Sequence, residues 1–231
     1  MSKAALIVGA GSGISAAFAR ALHRDGYKLA LAARDTDKLA ALAKEIDAIL
    51  APVDAAADAA VANLFTLLDR AFGTFDLVLY NASYRVRAPF LELDPADVAK
   101  ALAVTAYGGF LVGQQAARRM VRQGSGAIFF TGASASIKGY ARSAPFAMGK
   151  FALRGLVQAM ARELQPRGIH IAHFIIDGGV RNAERGRPGD PGAPDGLLEP
   201  AAIAETYMAV LKQPRSAWSL EVDLRPWAET F

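Results

Sequence analysis

Ala4-Ala5-Leu6-Ile7-Val8-Gly9-Ala10-Gly11-Ser12-Gly13-Ile14 is the stretch that decides the fold. The apolar run 4–8 reads as a buried strand, alternate glycines follow at once, and an amphipathic helical pattern opens at Ile14. Glycine lets a backbone turn tightly and approach a pyrophosphate, while a helix N-terminus offers free N–H groups and partial positive charge. A glycine triplet alone is a weak signal. Between a first strand and a first helix it becomes a dinucleotide cradle, with Gly9, Gly11, Ser12, Gly13 and Ile14 as candidate binding residues.

Outward from this turn the same alternation repeats. Strand patterns fall at 28–33, 48–53, 75–81, 126–132, 169–176 and 219–224, and helical patterns at 14–25, 35–45, 56–72, 95–123, 143–165 and 200–212. Parallel strands need crossovers, so this order predicts a doubly wound Rossmann fold. About seven parallel strands with helices on both faces are expected. No repeat or low-complexity linker divides the chain, and residues 1–231 are expected to form a single domain. The irregular stretch 178–196 crowds together Gly186, Pro188, Gly189, Pro191, Gly192 and Pro194 and is expected to be a flexible loop beside the ligand crevice. A lid over substrate and a disordered surface excursion are both open readings.

Composition removes whole classes of chemistry. With no cysteine among 231 residues, disulfides, thiolate metal sites and thiol nucleophiles are impossible. Of the 3 histidines, His170 and His173 sit in an apolar strand pattern, so no metal site is expected. No charged leader precedes the first strand, and no apolar run approaches the ~18 residues of a membrane span. A cytoplasmic location and no membrane association are the expectation. The net charge of +4 comes from Lys and Arg spread along the chain without a basic run, which argues against nucleic acid. A phosphorylated small molecule accounts for it better.

The second strand ends at Ala32-Ala33-Arg34-Asp35, where an adenosine ribose would be read. An acid at the strand end would select NAD. Here Ala33 is small, and the Arg34 guanidinium can pair with a 2′-phosphate, so NADP(H) is the expected cofactor. The competing reading makes Arg34 a solvated helix-start residue; Asp35 is a helix cap under either.

Taken together, the chain resembles the short-chain dehydrogenase/reductase family over nearly its whole length. That family's Thr-Gly-x-x-x-Gly-x-Gly is matched by Val8-Gly9-Ala10-Gly11-Ser12-Gly13-Ile14-Ser15, with Val8 for threonine and Ser15 for the last glycine, a change expected to hinder approach to the phosphates. Asp54 falls where the family holds the adenine amino group. Asn81-Ala82 matches the end of Asn-Asn-Ala-Gly, with Tyr80 and Ser83 replacing its flanks. Asp177-Gly178-Gly179-Val180 resembles Pro-Gly-x-Val, so the resemblance adds Asp54, Asn81, Ala82, Gly178 and Val180 to the cofactor-binding candidates.

The resemblance implies a catalytic Ser, Tyr and Lys, usually with Asn, the Tyr and Lys one helical turn apart. This chain reads Phe146-Ala147-Met148-Gly149-Lys150. Lys150 can still hold a nicotinamide ribose with its three donors, but Phe146 cannot give a proton to a carbonyl oxygen. Thr105 stands in the helix asparagine's place. The family's usual interval lands on Ala133; Ser134, a residue later, either reaches the site or buttresses a turn. Tyr140, Tyr84 and Tyr107 are candidate replacement acids, Tyr140 first, with Lys150 or water as further donors.

Rim loops add a charge bias: Arg85, Arg87, Lys138, Arg142, Arg181, Arg185 and Arg187 stand against Glu92, Glu184, Asp190 and Asp195. An anionic substrate or ordinary solvated charge would explain it. The leading expectation is an NADP(H)-dependent oxidoreductase with altered proton chemistry, acting on an anionic carbonyl or enoyl small molecule. A non-catalytic NADP(H)-binding sensor or scaffold is the alternative. The resemblance also implies a homodimer or homotetramer through the two long helical segments, and Trp218 and Trp227 either pack on a neighbour or close the chain's own core.

Overall fold

The computed structural model describes residues 3–190, 192–193 and 195–228; Pro191 and Pro194 of the irregular stretch lie outside the described residues. Seven parallel strands form one sheet in the order β3-β2-β1-β4-β5-β6-β7. They are β1 (Ala4–Val8), β2 (Lys28–Ala33), β3 (Ile49–Pro52), β4 (Leu77–Tyr80), β5 (Gly126–Thr131), β6 (Ile169–Ile176) and β7 (Glu221–Leu224). The strand order reverses between β1 and β4, which opens a crevice at their carboxyl ends.

Strand residues alternate between two cores, which is why the strands read as continuous apolar runs. Ala5 and Ile7 face one core, packed with Phe18 and Leu22 of α1 (Ile14–Arg24) and Tyr207 of α7 (Pro200–Leu211). Leu6 and Val8 face the other. That side holds α3 (Asp58–Phe72), α5 (Gly108–Gln123) and α6 (Ala144–Leu164), with α2 (Ala40–Glu45) following β2 and α4 (Pro95–Leu102) packed against α6.

Two expected helices are broken. The pattern 35–45 opens as a 3-10 turn at Asp37–Leu39 before α2, because Asp35 Oδ1 accepts the Asp37 N–H at 3.2 Å and tightens the entry. The expected helix 95–123 becomes α4, a π turn at Ala103–Tyr107, and α5. The Tyr80 hydroxyl donates to the Val104 carbonyl inside that turn, and Thr105 Oγ1 accepts the Tyr84 N–H at 3.3 Å. Groups from the end of β4 thus bond to the helix where it widens. His170 and His173 are buried in β6 as expected, and Trp218 stacks on His170 at 4.7 Å, closing the chain's own core.

Candidate active site

At the carboxyl ends of the strands lies a cleft of about 1460 Å³, larger than the ~300–1,000 Å³ of an ordinary small-ligand pocket. Its floor is the turn between β1 and α1. Gly9 has φ +81°, and a Cβ there would stand 2.3 Å from the Ala82 backbone nitrogen, so only glycine lets the turn cross the end of β4. The Gly9 and Ala10 N–H groups both donate to the Ala32 carbonyl, at 2.9 and 3.1 Å. Asn81 Nδ2 donates to Gly9 O at 3.1 Å and to Ser15 Oγ at 2.8 Å, tying β4 to the turn. Ser15, in the place of the family's last glycine, lines the cleft from the first turn of α1. It is 2% exposed, and its hydroxyl lies 3.4 Å from the Gly9 carbonyl.

The expected cofactor residues Gly9, Gly11, Gly13, Ile14, Arg34, Asp54, Asn81, Ala82, Lys150, Gly178 and Val180 all line this cleft. Ser12 does not; it stands exposed on the rim and accepts a hydrogen bond from Asn182 Nδ2 at 3.2 Å. Asp54 Oδ1 accepts the Ala56 N–H at 3.0 Å, and Gly178 packs so tightly on Pro226 that a Cβ would meet it at 2.6 Å. Lys38 was missed by sequence reasoning. It lines the same cleft as Arg34, and its place in the first turn of the expected helix 35–45, four residues on, was the available signal.

Within the irregular stretch 178–196, Asn182 and Arg185 lie over the glycine turn. Asn182 reaches Ser12 and Gly13, and the Arg185 guanidinium would lie 3.5 Å from a Cβ on Gly11. Arg185, expected among the rim charges, stands over the place a helix N-terminus offers to phosphate. Asp177, in the family's proline position, is buried and pairs with Lys138 at 3.4 Å.

At the other end of the cleft α6 presents Phe146 and Lys150. Gly149 lets α6 approach the π turn closely, since a Cβ there would be 2.9 Å from Thr105 Cβ. Lys150 is 3% exposed, and its Nζ donates to the Thr131 carbonyl at 2.6 Å. Burial pushes its pKa down to about 7, within reach of neutral pH. Behind it His173 is held neutral, with a pKa of about 4 caused by burial and then by the Lys150 charge. His173 Nε2 lies 3.3 Å from Ser136 Oγ, which also accepts the Ala133 N–H at 3.2 Å. Ser136 is thus turned into the core, while Ser134 lines the cleft and its carbonyl closes the turn through the Ile137 and Lys138 N–H groups.

Of the candidate acids, Tyr140 lines the cleft, with Lys138 Nζ 5.7 Å from its ring centroid. Tyr84 and Tyr107 do not. Tyr84 donates its hydroxyl to Asp97 at 2.8 Å, and Tyr107 stacks on Phe110 at 6.3 Å. Thr105 is fully buried, so Val104 stands on the cleft wall in its stead. The arrangement can hold an extended anion along the glycine turn and present a buried amine to whatever lies against Phe146.

A family model described as short chain dehydrogenase matches residues 3–183. A solved short-chain dehydrogenase from Rhodopseudomonas palustris is 33% identical with a TM-score of 0.83, covering 97% of this chain and 99% of that one. An alcohol dehydrogenase from the archaeon Thermococcus sibiricus, solved with 5-hydroxy-NADP, is 28% identical with a TM-score of 0.89, covering 99% and 98%. Sorbitol-6-phosphate 2-dehydrogenase of Escherichia coli K12 is 28% identical over 184 residues, 76% of this chain and 71% of that protein. The seven-stranded parallel sheet agrees with these matches, and the chain belongs to the short-chain dehydrogenase/reductase family.

Proposed function

We propose that the cleft binds NADP(H) and that the protein uses it to reduce an anionic carbonyl or enoyl compound without the family's phenolic acid. The observation that carries this reading is the continuity of the cleft, from Arg34 and Lys38 past the glycine turn to Lys150. Arg34 and Lys38 would pair with the 2′-phosphate. Gly11, Gly13 and the N-terminus of α1, with Arg185 above, would take the pyrophosphate. Asp54 would hold the adenine, with Asn81 and Ala82 fixing the turn's position and Gly178 and Val180 closing on the nicotinamide. The solved relative with a bound NADP derivative supports the choice of cofactor.

Reduced nicotinamide, when bound, supplies a hydride. Lys150 would hold its ribose by hydrogen bonds and, with a pKa of about 7, could also deliver a proton. Tyr140 is the second proton source, and Ser134 orients the substrate oxygen. Arg85, Arg87 and Arg187 line the cleft, Arg85 against the Phe146 ring, and favour an anion there. A relative named for a phosphorylated sugar supports that preference. A non-catalytic binding protein is the reading that Phe146 alone would favour; membership of a dehydrogenase family and relatives named as oxidoreductases favour catalysis instead.

We further infer pairing of copies into a homodimer or homotetramer through α5 and α6, where Phe110, Met148 and Phe151 are exposed. Phe151→Glu should then yield monomers in sedimentation velocity. The cofactor reading is tested by calorimetric titration of NADPH and NADH. Tighter binding of NADPH supports it, and equal affinity or none contradicts it.

A further inference from the structure

We propose that Arg85 binds the reacting oxygen of the substrate in the place left by the missing phenol, while Arg87 and Arg187 hold the substrate's carboxylate or phosphate. The inference rests on the reduction proposed above.

The Arg85 guanidinium lies 5.0 Å from the centroid of the Phe146 ring, on which Lys150 Nζ also bears at 5.8 Å. An aromatic face attracts a cation through its quadrupole, so a ring that has lost its hydroxyl still serves as a platform for a guanidinium. Arg85 and Arg87 come from the segment after β4, and Arg187 comes from the segment after β6, yet all three line the cleft and the charges of Arg87 and Arg187 are felt at Arg85. Burial, then the charges of Arg87 and Arg187, lower the Arg85 pKa, as expected for cations brought together. Among the described residues none of the three has an ion-pair partner, whereas Arg181 pairs with Glu199 and Arg154 with Glu221, both at 2.7 Å. Guanidinium groups that share a cleft wall and feel one another's charge, without a carboxylate between them, form a binding place for an anion.

A guanidinium does not give up its proton at neutral pH, so Arg85 acts by hydrogen bonding and not as an acid. As the substrate's π bond accepts the hydride, its electron pair moves onto oxygen, directly or through the conjugated enoyl system. The Arg85 N–H groups then meet a full negative charge where they had met a carbonyl dipole, an interaction strongest in the transition state. A proton from Lys150 or Tyr140 completes the product, at oxygen for a carbonyl and at carbon for an enoyl compound. The substrate gains a hydride and a proton, and NADPH leaves as NADP+.

Oxalate is a suitable probe, since one carboxylate can mimic the developing oxyanion and the other the anionic handle. Calorimetric titration of oxalate into the protein saturated with NADP+ should show binding that Arg85→Gln weakens by ~tenfold or more, with NADP+ affinity and thermal midpoint unchanged. Arg85→Lys should recover only part of it, because an ammonium lacks the planar fork. Normal NADP+ binding with oxalate absent from the wild-type complex, or bound equally by Arg85→Gln, overturns this inference alone. Failure to bind NADP+ at all overturns the cofactor reading and this inference with it.

Discussion

Lys150 donates its Nζ to the Thr131 carbonyl at 2.6 Å, at the point where α6 meets the end of β5. Its burial fixes a pH dependence. The folded pKa is depressed to about 7, so between there and the unfolded value of ~10.4 the unfolded chain holds a proton that the native protein lacks. The penalty is full below the window and gone above it, and stability from this group rises with pH at up to ~1.4 kcal/mol per unit. In urea titrations of ligand-free protein, the wild type should gain on Lys150→Met between pH 7 and 9.5; parallel curves would refute a depressed pKa.

Arg34 and Lys38 are exposed and stand at the far end of the same cleft. Arg34→Ala should weaken NADPH by ~tenfold or more, the scale of a charge-assisted hydrogen bond, and leave NADH unchanged. Adding Lys38→Ala should weaken NADPH further. Fluorescence titration of both cofactors checks this, and parallel losses would remove the 2′-phosphate from the explanation.

The glycines of the turn should separate folding from binding. Gly9→Ala forces a Cβ to within 2.3 Å of Ala82 N at a positive φ and should lower the thermal midpoint sharply. At Gly11 the nearest atom to an added Cβ is Arg185 Nη2 at 3.5 Å, so Gly11→Ala should fold normally while blocking approach of the pyrophosphate. Thermal melts paired with NADPH titration distinguish the two. A Gly11 variant that binds as the wild type would move the phosphates elsewhere.

The strands and the glycine turn were legible in the sequence because burial on both faces writes β1, β4 and most of β2 as apolar runs. The π turn was not, because helical periodicity passes smoothly through Ala103–Tyr107 and the break depends on a bond from Tyr80, distant in sequence. The same limit hid the seating of Arg85 on Phe146 and of Arg185 over Gly11. Both meetings join residues from different loops, where no spacing rule applies. Ser134 illustrates the ambiguity of counting: a shift of one residue decides between Ala133 and a hydroxyl, and only the placement of Ser134–Ser136 puts Ser134 on the cleft and Ser136 inside.

Phe146→Tyr adds a single hydroxyl beside Lys150 and should restore an ordinary phenolic acid. Since general acid catalysis contributes ~10²–10⁴ in rate, carbonyl reduction by this variant should rise by at least ~tenfold. Reduction of a conjugated C=C bond should change less. Single-turnover NADPH oxidation by both proteins measures this, and an unchanged carbonyl rate would show that another group already donates the proton efficiently.

The most direct measurement is steady-state NADPH oxidation across ketones, enones and enoyl thioesters, each with and without a carboxylate or phosphate, by the wild type and Lys150→Ala. The account predicts turnover confined to anionic carbonyl or enoyl compounds, abolished or strongly reduced by Lys150→Ala. Tight NADPH binding with no turnover of any of them, or turnover untouched by Lys150→Ala, would contradict it.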